Sequence, residues 1–275
     1  MRSAKRLIAD RLKAWVAASP DDATFAIRFE RMNRRWQRPY HLSYDTDLGC
    51  FIVDSDGVSL AIPRRSRLHL VKNGVERRRE DLHEEYLLGQ VPLGPGDVVV
   101  DVGANVGEVS MLVADRYGAT PVAFEPDPRE FRALAHNLST RGGHARAALL
   151  WSHEADIPFH SANETGDSSA FNPPVPSTVS TMRSVTLDAE LRDIGFGDRS
   201  IALLKLEAEG AETEVLRGAA ETLRRTTYVS ADVGPERGVD QESTLVPVLT
   251  MLQHADFTPI AFHPGRQTML FARDV

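Results

Sequence analysis

Apolar residues in the first part of the chain recur at helical spacing. Over residues 4–18, Ile8, Leu12, Trp15 and Val16 fall on one face and basic residues occupy the rest. Ser19-Pro20 should end that helix, because proline removes a backbone donor and clashes with the preceding turn. A second helix, rich in Arg and aromatics, is expected over about 22–38. The pattern then shortens. Cys50-Phe-Ile-Val-Asp54 and Val58-Ser-Leu-Ala-Ile62 flank Ser55-Asp56-Gly57, which predicts a β-hairpin around a glycine-containing turn.

From residue 81 onward strands alternate with helices. Val98-Val-Val-Asp101 is a short apolar run of the kind buried in a parallel sheet, followed by a Gly-rich turn and a helix over about 107–117. A second strand, Pro121–Glu125, leads to a helix opening at Asp127-Pro128, a favourable N-cap and N1 pair. A third strand is expected near 146–151, and residues 161–180 read as a loop able to act as a lid. A strand at Ile201–Leu206 precedes a helix over about 211–225. Another, Tyr228–Asp232, precedes a helix over about 240–254. Pro259–His263 and Thr268–Ala272, joined by Pro264-Gly265, form a terminal hairpin, so the last strand must run antiparallel to its neighbour.

This switch in pattern divides the chain into a basic helical and β-hairpin extension, residues 1–80, and an α/β domain, residues 81–275. Charge follows the same division: the first 80 residues carry a net +7 and the remainder −14. A basic front on an acidic body can steer an anionic partner, but a solvated or oligomer-forming segment explains it as well, and charge alone supports no nucleic-acid role. Cys50 is the only cysteine, which excludes an internal disulfide framework and makes a reducing, cytoplasmic setting the simplest expectation. No stretch approaches the roughly 20 apolar residues of a membrane span, and Asp10, Arg11 and Lys13 interrupt any signal-like core.

The candidate chemistry lies at the ends of the first two strands of the α/β domain. In Asp101-Val-Gly-Ala-Asn-Val-Gly107, Gly103 and Gly107 permit close backbone approach to a ligand, and Asn105 tolerates unusual φ/ψ. The helix behind offers N–H donors and a partial positive charge. Glu125, at the end of the second strand, is placed to accept both hydroxyls of a ribose. Asp101 is placed to meet an ammonium. A ligand with an amino-acid end and a ribose diol matches S-adenosyl-L-methionine. An NAD-type fingerprint would need glycine at 105 and 108, where Asn105 and Glu108 stand.

Residues of about 67–225 resemble the FkbM-type methyltransferases. The resemblance rests on Val100–Gly107, Phe124-Glu-Pro126, Val185-Thr-Leu-Asp188, Leu204-Lys-Leu-Glu-Ala-Glu-Gly-Ala-Glu212 and Val215-Leu-Arg-Gly218. It implies the class I methyltransferase fold, a Rossmann-like doubly wound sheet ending in an antiparallel hairpin. It also implies S-adenosyl-L-methionine as cofactor and O-methylation of sugars and natural products. Where that family usually has Asp after Lys-Ile, this chain has Glu207, one methylene longer.

Methyl transfer to an alcohol gains from positioning and from a general base. Glu207 and Glu209, just past the strand ending at Leu206, are the candidates, with Glu207 on the acceptor hydroxyl and Lys205 or Glu209 organising the site. The plainer reading is that Glu207 and Glu212 cap the following helix and that Lys205 snorkels from the strand end. Asp232 is a secondary candidate, and Trp151 and Ser152 lie where adenine contacts are expected. His153, His160 and His263 show no metal-ligand spacing, so no metal is expected. The acceptor is expected to be a small molecule or saccharide, with no nucleic acid or integral membrane contact and self-association possible through the N-terminal segment. Alternatives are a non-catalytic S-adenosylmethionine-binding protein, an N-methyltransferase, for which the usual Pro-Pro motif is missing, and an NAD-dependent oxidoreductase.

Overall fold

The computed structural model describes residues 4–273, and side chains from residue 9 onward. Contacts divide the chain into two compact units, Met1–Arg78 and Arg79–Val275. The first unit begins with α1 (Ala4–Ala17) and α2 (Asp22–Trp36), the latter capped by Asp21, whose carboxylate accepts Thr24 N–H at 2.6 Å. Of the apolar face read on α1, Ile8 lies outside the described side chains, Val16 is buried and Trp15 is 38% exposed. An antiparallel sheet follows, in the order β1 (His41–Asp45), β2 (Cys50–Ser55), β3 (Val58–Ile62). The turn between β2 and β3 has positive φ at both Asp56 and Gly57, as a two-residue hairpin turn demands. Strand β1 was not anticipated, because its pairing with β2 carries no local signal. α3 spans Val75–Glu85.

The second unit continues with β4 (Val98–Val102), α4 (Glu108–Tyr117), β5 (Thr120–Phe124), α5 (Pro128–Leu138) and β6 (His144–Arg146). After them come β7 (Leu149–Leu150), β8 (Asp156–Ala162), β9 (Ser177–Val185), α6 (Leu187–Asp193) and β10 (Ile201–Leu206). The chain ends with α7 (Glu212–Arg217), α8 (Ala220–Arg224), β11 (Thr226–Asp232), β12 (Pro235–Arg237), β13 (Glu242–Ser243), α9 (Leu245–His254), β14 (Phe257–His263) and β15 (Thr268–Arg273).

Seven of these strands form one sheet in the order β14-β15-β11-β10-β4-β5-β6. β10, β11, β4, β5 and β6 pair in parallel, and β15 is antiparallel to both neighbours. This is the Rossmann-like class I methyltransferase sheet with its closing hairpin. The strand order reverses between β4 and β10, so the crevice beyond their carboxyl ends is the natural ligand site. Period-two alternation sends Val98, Val100 and Val102 into one core layer with Phe124, Leu204, Val229 and Phe271. Val99 and Leu203 face the other layer, with Tyr86, Leu112 and Leu270.

Three expectations change. The strand expected over 146–151 breaks after Arg146, and Leu149–Leu150 leaves the main sheet to pair with β9 in a separate sheet ordered β7-β9-β8. The loop expected over 161–180 is mostly a hairpin, since β8 and β9 pair from Asp156↔Arg183 to Ala162↔Ser177 and leave only 163–176 as the connection. The helix expected over 211–225 is broken at Gly218, where a Cβ would lie 2.1 Å from the carbonyl oxygen of Trp151. Asp188 restarts the helix by accepting Glu221 N–H at 2.9 Å and Thr222 N–H at 2.8 Å.

Phe271 is fully buried in β15, in the larger core layer. Phe271→Ala should therefore cost about 3–5 kcal/mol, read as a lower urea midpoint with circular dichroism unchanged at low denaturant.

Candidate active site

The crevice is built on a buried ion pair. Asp101 and Lys205 are register partners on β4 and β10, with side chains that are 0% and 2% exposed and 3.0 Å apart. A lone charge there would be prohibitive, so each is multiply partnered. Ser110 of α4 donates to Asp101 at 2.6 Å. Lys205 Nζ donates to the carbonyls of Gly103 at 2.7 Å and Val102 at 3.2 Å, and reaches Glu207 Oε2 at 3.0 Å. Lys205 thus does not snorkel. Asp101 offers no exposed carboxylate to a ligand ammonium; it sets the turn instead, because its sheet face is covered by α4.

The Gly-rich turn is shaped by that approach. Gly103 has φ 68°, and a Cβ on it would lie 1.7 Å from the backbone oxygen of Glu207, so only glycine lets the ends of β4 and β10 come this close. Gly107, φ 86°, is the N-cap of α4 without a side-chain cap, and Asn105 stands at φ 51°. The donor supply differs from the expectation. Gly103 N–H and Ala104 N–H both go to Phe124 O, Gly107 N–H to Ala104 O, Asn105 N–H to Glu125 and Val106 N–H to the Asn105 side chain. The turn's own amides are thus satisfied internally, which leaves the uncapped start of α4 as the positive end facing the crevice.

Glu125 is 6% exposed; its Oε2 accepts Asn105 N–H at 2.9 Å and its Oε1 accepts Asp127 N–H at 2.8 Å. Burial, with Glu130 and Asp127 nearby, pushes its carboxyl up to about 8 despite those two donors. Each oxygen retains acceptor capacity, which suits a diol.

Glu207 is held from three sides: the buried Tyr86 hydroxyl and Lys205 on Oε2, and Arg266 on Oε1. Arg266, from the β14–β15 turn, also lies 3.0 Å from Asp232 Oδ2 and packs over the Tyr86 ring at 5.2 Å. Burial keeps the Tyr86 hydroxyl well above the usual phenol range, so it remains a donor. Asp232, 2% exposed, is pushed up to about 6 by burial and by Glu212 and Glu85. Among the described residues no cation pairs with Glu209. Burial, then Glu236, Asp167 and Glu212, raise its carboxyl well above the ordinary range, and Glu236 is pushed up to about 8 by burial and by Asp232. Glu212 braces the turn below, accepting Ala208 N–H at 2.8 Å and Gly210 N–H at 3.1 Å.

Trp151 is half-buried against Phe171, with ring centroids 5.8 Å apart. Ser152 is turned to His153, 2.9 Å away. His160 meets Ser177 and His263 meets Arg266 N–H, so both are accounted for locally. Sequence reasoning gave no site role to Tyr86, although Arg67–Leu88 with Glu85-Tyr86 belongs to the family resemblance, and it missed Arg266, Glu236 and Phe171, which reach the crevice from segments without a local motif.

The comparisons with known proteins decide the family. A model described as the methyltransferase FkbM domain matches residues 101–258. The chain belongs to the FkbM methyltransferase family. Among curated relatives it is similar to the 31-O-demethyl-FK506 methyltransferase FkbM of Streptomyces tacrolimicus, 31% identical over 68% of this chain and 81% of that one. It is also similar to the 2-O-methyltransferase NoeI of Sinorhizobium fredii, 25% identical over 70% of this chain and 86% of that one. A third is the hexuronic acid methyltransferase AglP of Haloferax volcanii, 28% identical over 52% and 58%. This FkbM-family protein is a methyltransferase with S-adenosylmethionine as cofactor. The site suits that cofactor: Glu125 for a diol, an uncapped helix start, and carboxylates in excess for a sulfonium cation. Among the described residues no helix is long and apolar enough to cross a membrane, and no cluster of His, Cys, Asp or Glu is arranged to hold a metal.

Two predictions follow from this electrostatic arrangement. Lys205→Met leaves Asp101 without its cation and should destabilise the fold by about 3–5 kcal/mol in urea titration, with partial recovery in Lys205→Met/Asp101→Asn. For Glu125, below an ordinary value of 4.5 both folded and unfolded states are neutral and the group costs nothing. Between 4.5 and about 8 only the unfolded chain ionises, so stability is lost as pH rises through that window. Glu125→Gln should flatten this loss by up to about 1.4 kcal/mol per pH unit, seen in ligand-free melting curves from pH 5 to 8.

Proposed function

We propose that this methyltransferase acts on a hydroxyl of a saccharide, glycolipid or secondary metabolite, with domain 81–275 carrying the chemistry. The observation that carries the reading is the division of the crevice: a diol-suited carboxylate, Glu125, beyond β5, and carboxyls raised by burial and by neighbouring carboxylates, Glu209 and Glu236, beyond β10 and β11. The relatives named for 2-O-, 31-O- and hexuronic acid methylation support an oxygen acceptor. The basic extension, residues 1–80, is read as an oligomer-forming or anion-steering segment on its net +7 charge.

Bound S-adenosylmethionine supplies an electrophilic methyl group on a positively charged sulfur. Gly103, Asn105, Gly107 and Glu125 hold it, with Trp151 as the wall for its base; Ser152 stays a more distant candidate. Lys205 and Asp101 fix the turn from below. Glu207, with both oxygens engaged by Tyr86, Lys205 and Arg266, orients the acceptor instead of taking its proton. Glu209 would accept the proton that the acceptor hydroxyl gives up when it takes the cofactor's methyl group. A carboxyl raised toward neutrality is the better match for an alcohol, and its base form grows as pH rises.

Calorimetric titration with S-adenosylmethionine and S-adenosylhomocysteine should give binding to wild type and at least about tenfold weaker binding to Glu125→Ala. Radiolabelled methyl transfer is then assayed against methyl glycosides, hexuronic acids, amino sugars and macrolide alcohols. Transfer to oxygen that falls at least about 100-fold in Glu209→Gln supports the assignment. Transfer to nitrogen, or cofactor binding without turnover on any of these compounds, would sink it.

A further inference from the structure

One short segment touches the loop after nearly every strand that lines the crevice. In the β8–β9 connection, Gly166 O accepts from the Asn105 side chain at 3.3 Å, beyond β4. Ser168 Oγ donates to Asp127 at 2.8 Å, beyond β5. Ser169 Oγ donates to the backbone oxygen of Glu209 at 2.8 Å, beyond β10. Phe171 packs on Trp151, beyond β7, and lies under the Arg237 guanidinium at 4.0 Å, beyond β11. Arg237 is itself fixed by two bonds to Glu214, at 2.8 and 3.0 Å, and one to Gly210 O at 2.7 Å.

Two of these ties end on residues in left-handed conformations, Asn105 at φ 51° and Glu209 at φ 49°. Such residues hold their geometry only when neighbours over-determine it. Asn105 also gives its N–H to Glu125, so the same peptide unit connects the carboxylate read as ribose-binding to the strap. Glu209 stands on the acceptor side. Across the crevice the polar ties are single hydrogen bonds, while Ser169 is held to β8 by two backbone bonds with His160, at 2.8 and 3.0 Å. The Trp151–Phe171–Arg237 stack is the apolar fastening that makes them act together.

We propose that Phe171 is a positioning residue of this active site: it anchors the strap Gly166–Phe171 across both halves, so that the cofactor-side turn and Glu209 are set by one piece of chain. The proposal rests on the assignment of Asn105, Glu125 and Trp151 to the cofactor side. Cofactor binding and the geometry of Glu209 then depend on each other, and the acceptor meets its complete site only once the strap is seated over the cofactor.

The test uses the full chain and S-adenosylmethionine as the probe. Phe171→Ala should weaken its binding about fivefold to tenfold in calorimetry with an unchanged melting temperature, and Phe171→Tyr should restore it. Ser169→Ala, which removes the tie to Glu209 and the bond that Phe171 N–H donates to Ser169 Oγ at 3.0 Å within the strap, should also weaken cofactor binding. The double variant Phe171→Ala/Ser169→Ala should fall short of the sum of the two, because both act through one segment. Amide exchange over residues 163–176 should rise in ligand-free Phe171→Ala. Wild-type affinity and wild-type exchange in Phe171→Ala would overturn the proposal, and strictly additive losses would remove the link between the halves. If wild type itself fails to bind S-adenosylmethionine, the cofactor assignment falls separately. The exchange comparison still decides whether Phe171 anchors the strap.

Discussion

The Lys205–Asp101 ion pair is the interaction on which the crevice depends. β4 and β10 sit side by side where the sheet order reverses, and both are covered on two faces. Alternation places Asp101 and Lys205 on the same side as Val99 and Leu203, in a layer otherwise built from Leu112, Leu270 and Tyr86. A single charge there would be unstable by several kcal/mol, so the two are tolerated only together. The ammonium also gathers the carbonyls of Val102 and Gly103, which turns the end of β4 toward β10. The near-contact of Gly103 with the Glu207 carbonyl follows from that convergence, and the absence of a side chain at 103 permits it.

From this pair the electrostatics of the site separate into two regions. Lys205 and Arg266 are engaged by Asp101, Glu207 and Asp232, which makes a floor of paired charges with Tyr86 between the two cations. Beyond it, Glu209 and Glu236 face each other and other carboxylates, and burial raises both. The first region keeps shape, and in the second burial and like charge hold the carboxyls above the ordinary carboxylate range. A sulfonium ligand and a hydroxyl that must lose a proton both suit this gradient, because one brings positive charge and the other needs a base.

The family's blocks do different kinds of work. Val185-Thr-Leu-Asp188 and Val215-Leu-Arg-Gly218 dock on each other: Asp188 N–H donates to Gly218 O at 3.1 Å, and its carboxylate starts α8. Gly218 is open so that the Trp151 carbonyl can pass. These blocks hold β7 and the start of α8 together behind the site, and neither places a reactive group in it. In Leu204–Glu212, Lys205 pairs with Asp101 and Glu212 braces the turn through Ala208 N–H and Gly210 N–H.

The strands of the main sheet at 98–102, 120–124, 201–206 and 226–232, the Gly-rich turn, the N-cap at Asp127 and the closing hairpin could be read from the chain, since each rests on local periodicity or on a residue's own backbone preference. The same local logic placed Asp101, Lys205, Glu125, Glu207 and Glu209 at strand ends. It could not say which carboxylates would be neutralised. That depended on Tyr86 and Arg266 arriving from segments 121 and 59 residues away in sequence from Glu207. Nor could it foresee that Leu149–Leu150 would leave the main sheet, or that Gly166–Phe171 would lie across the crevice. Pairing partners and ion-pair partners are chosen by three-dimensional proximity, and burial then sets how far each carboxyl's proton affinity rises.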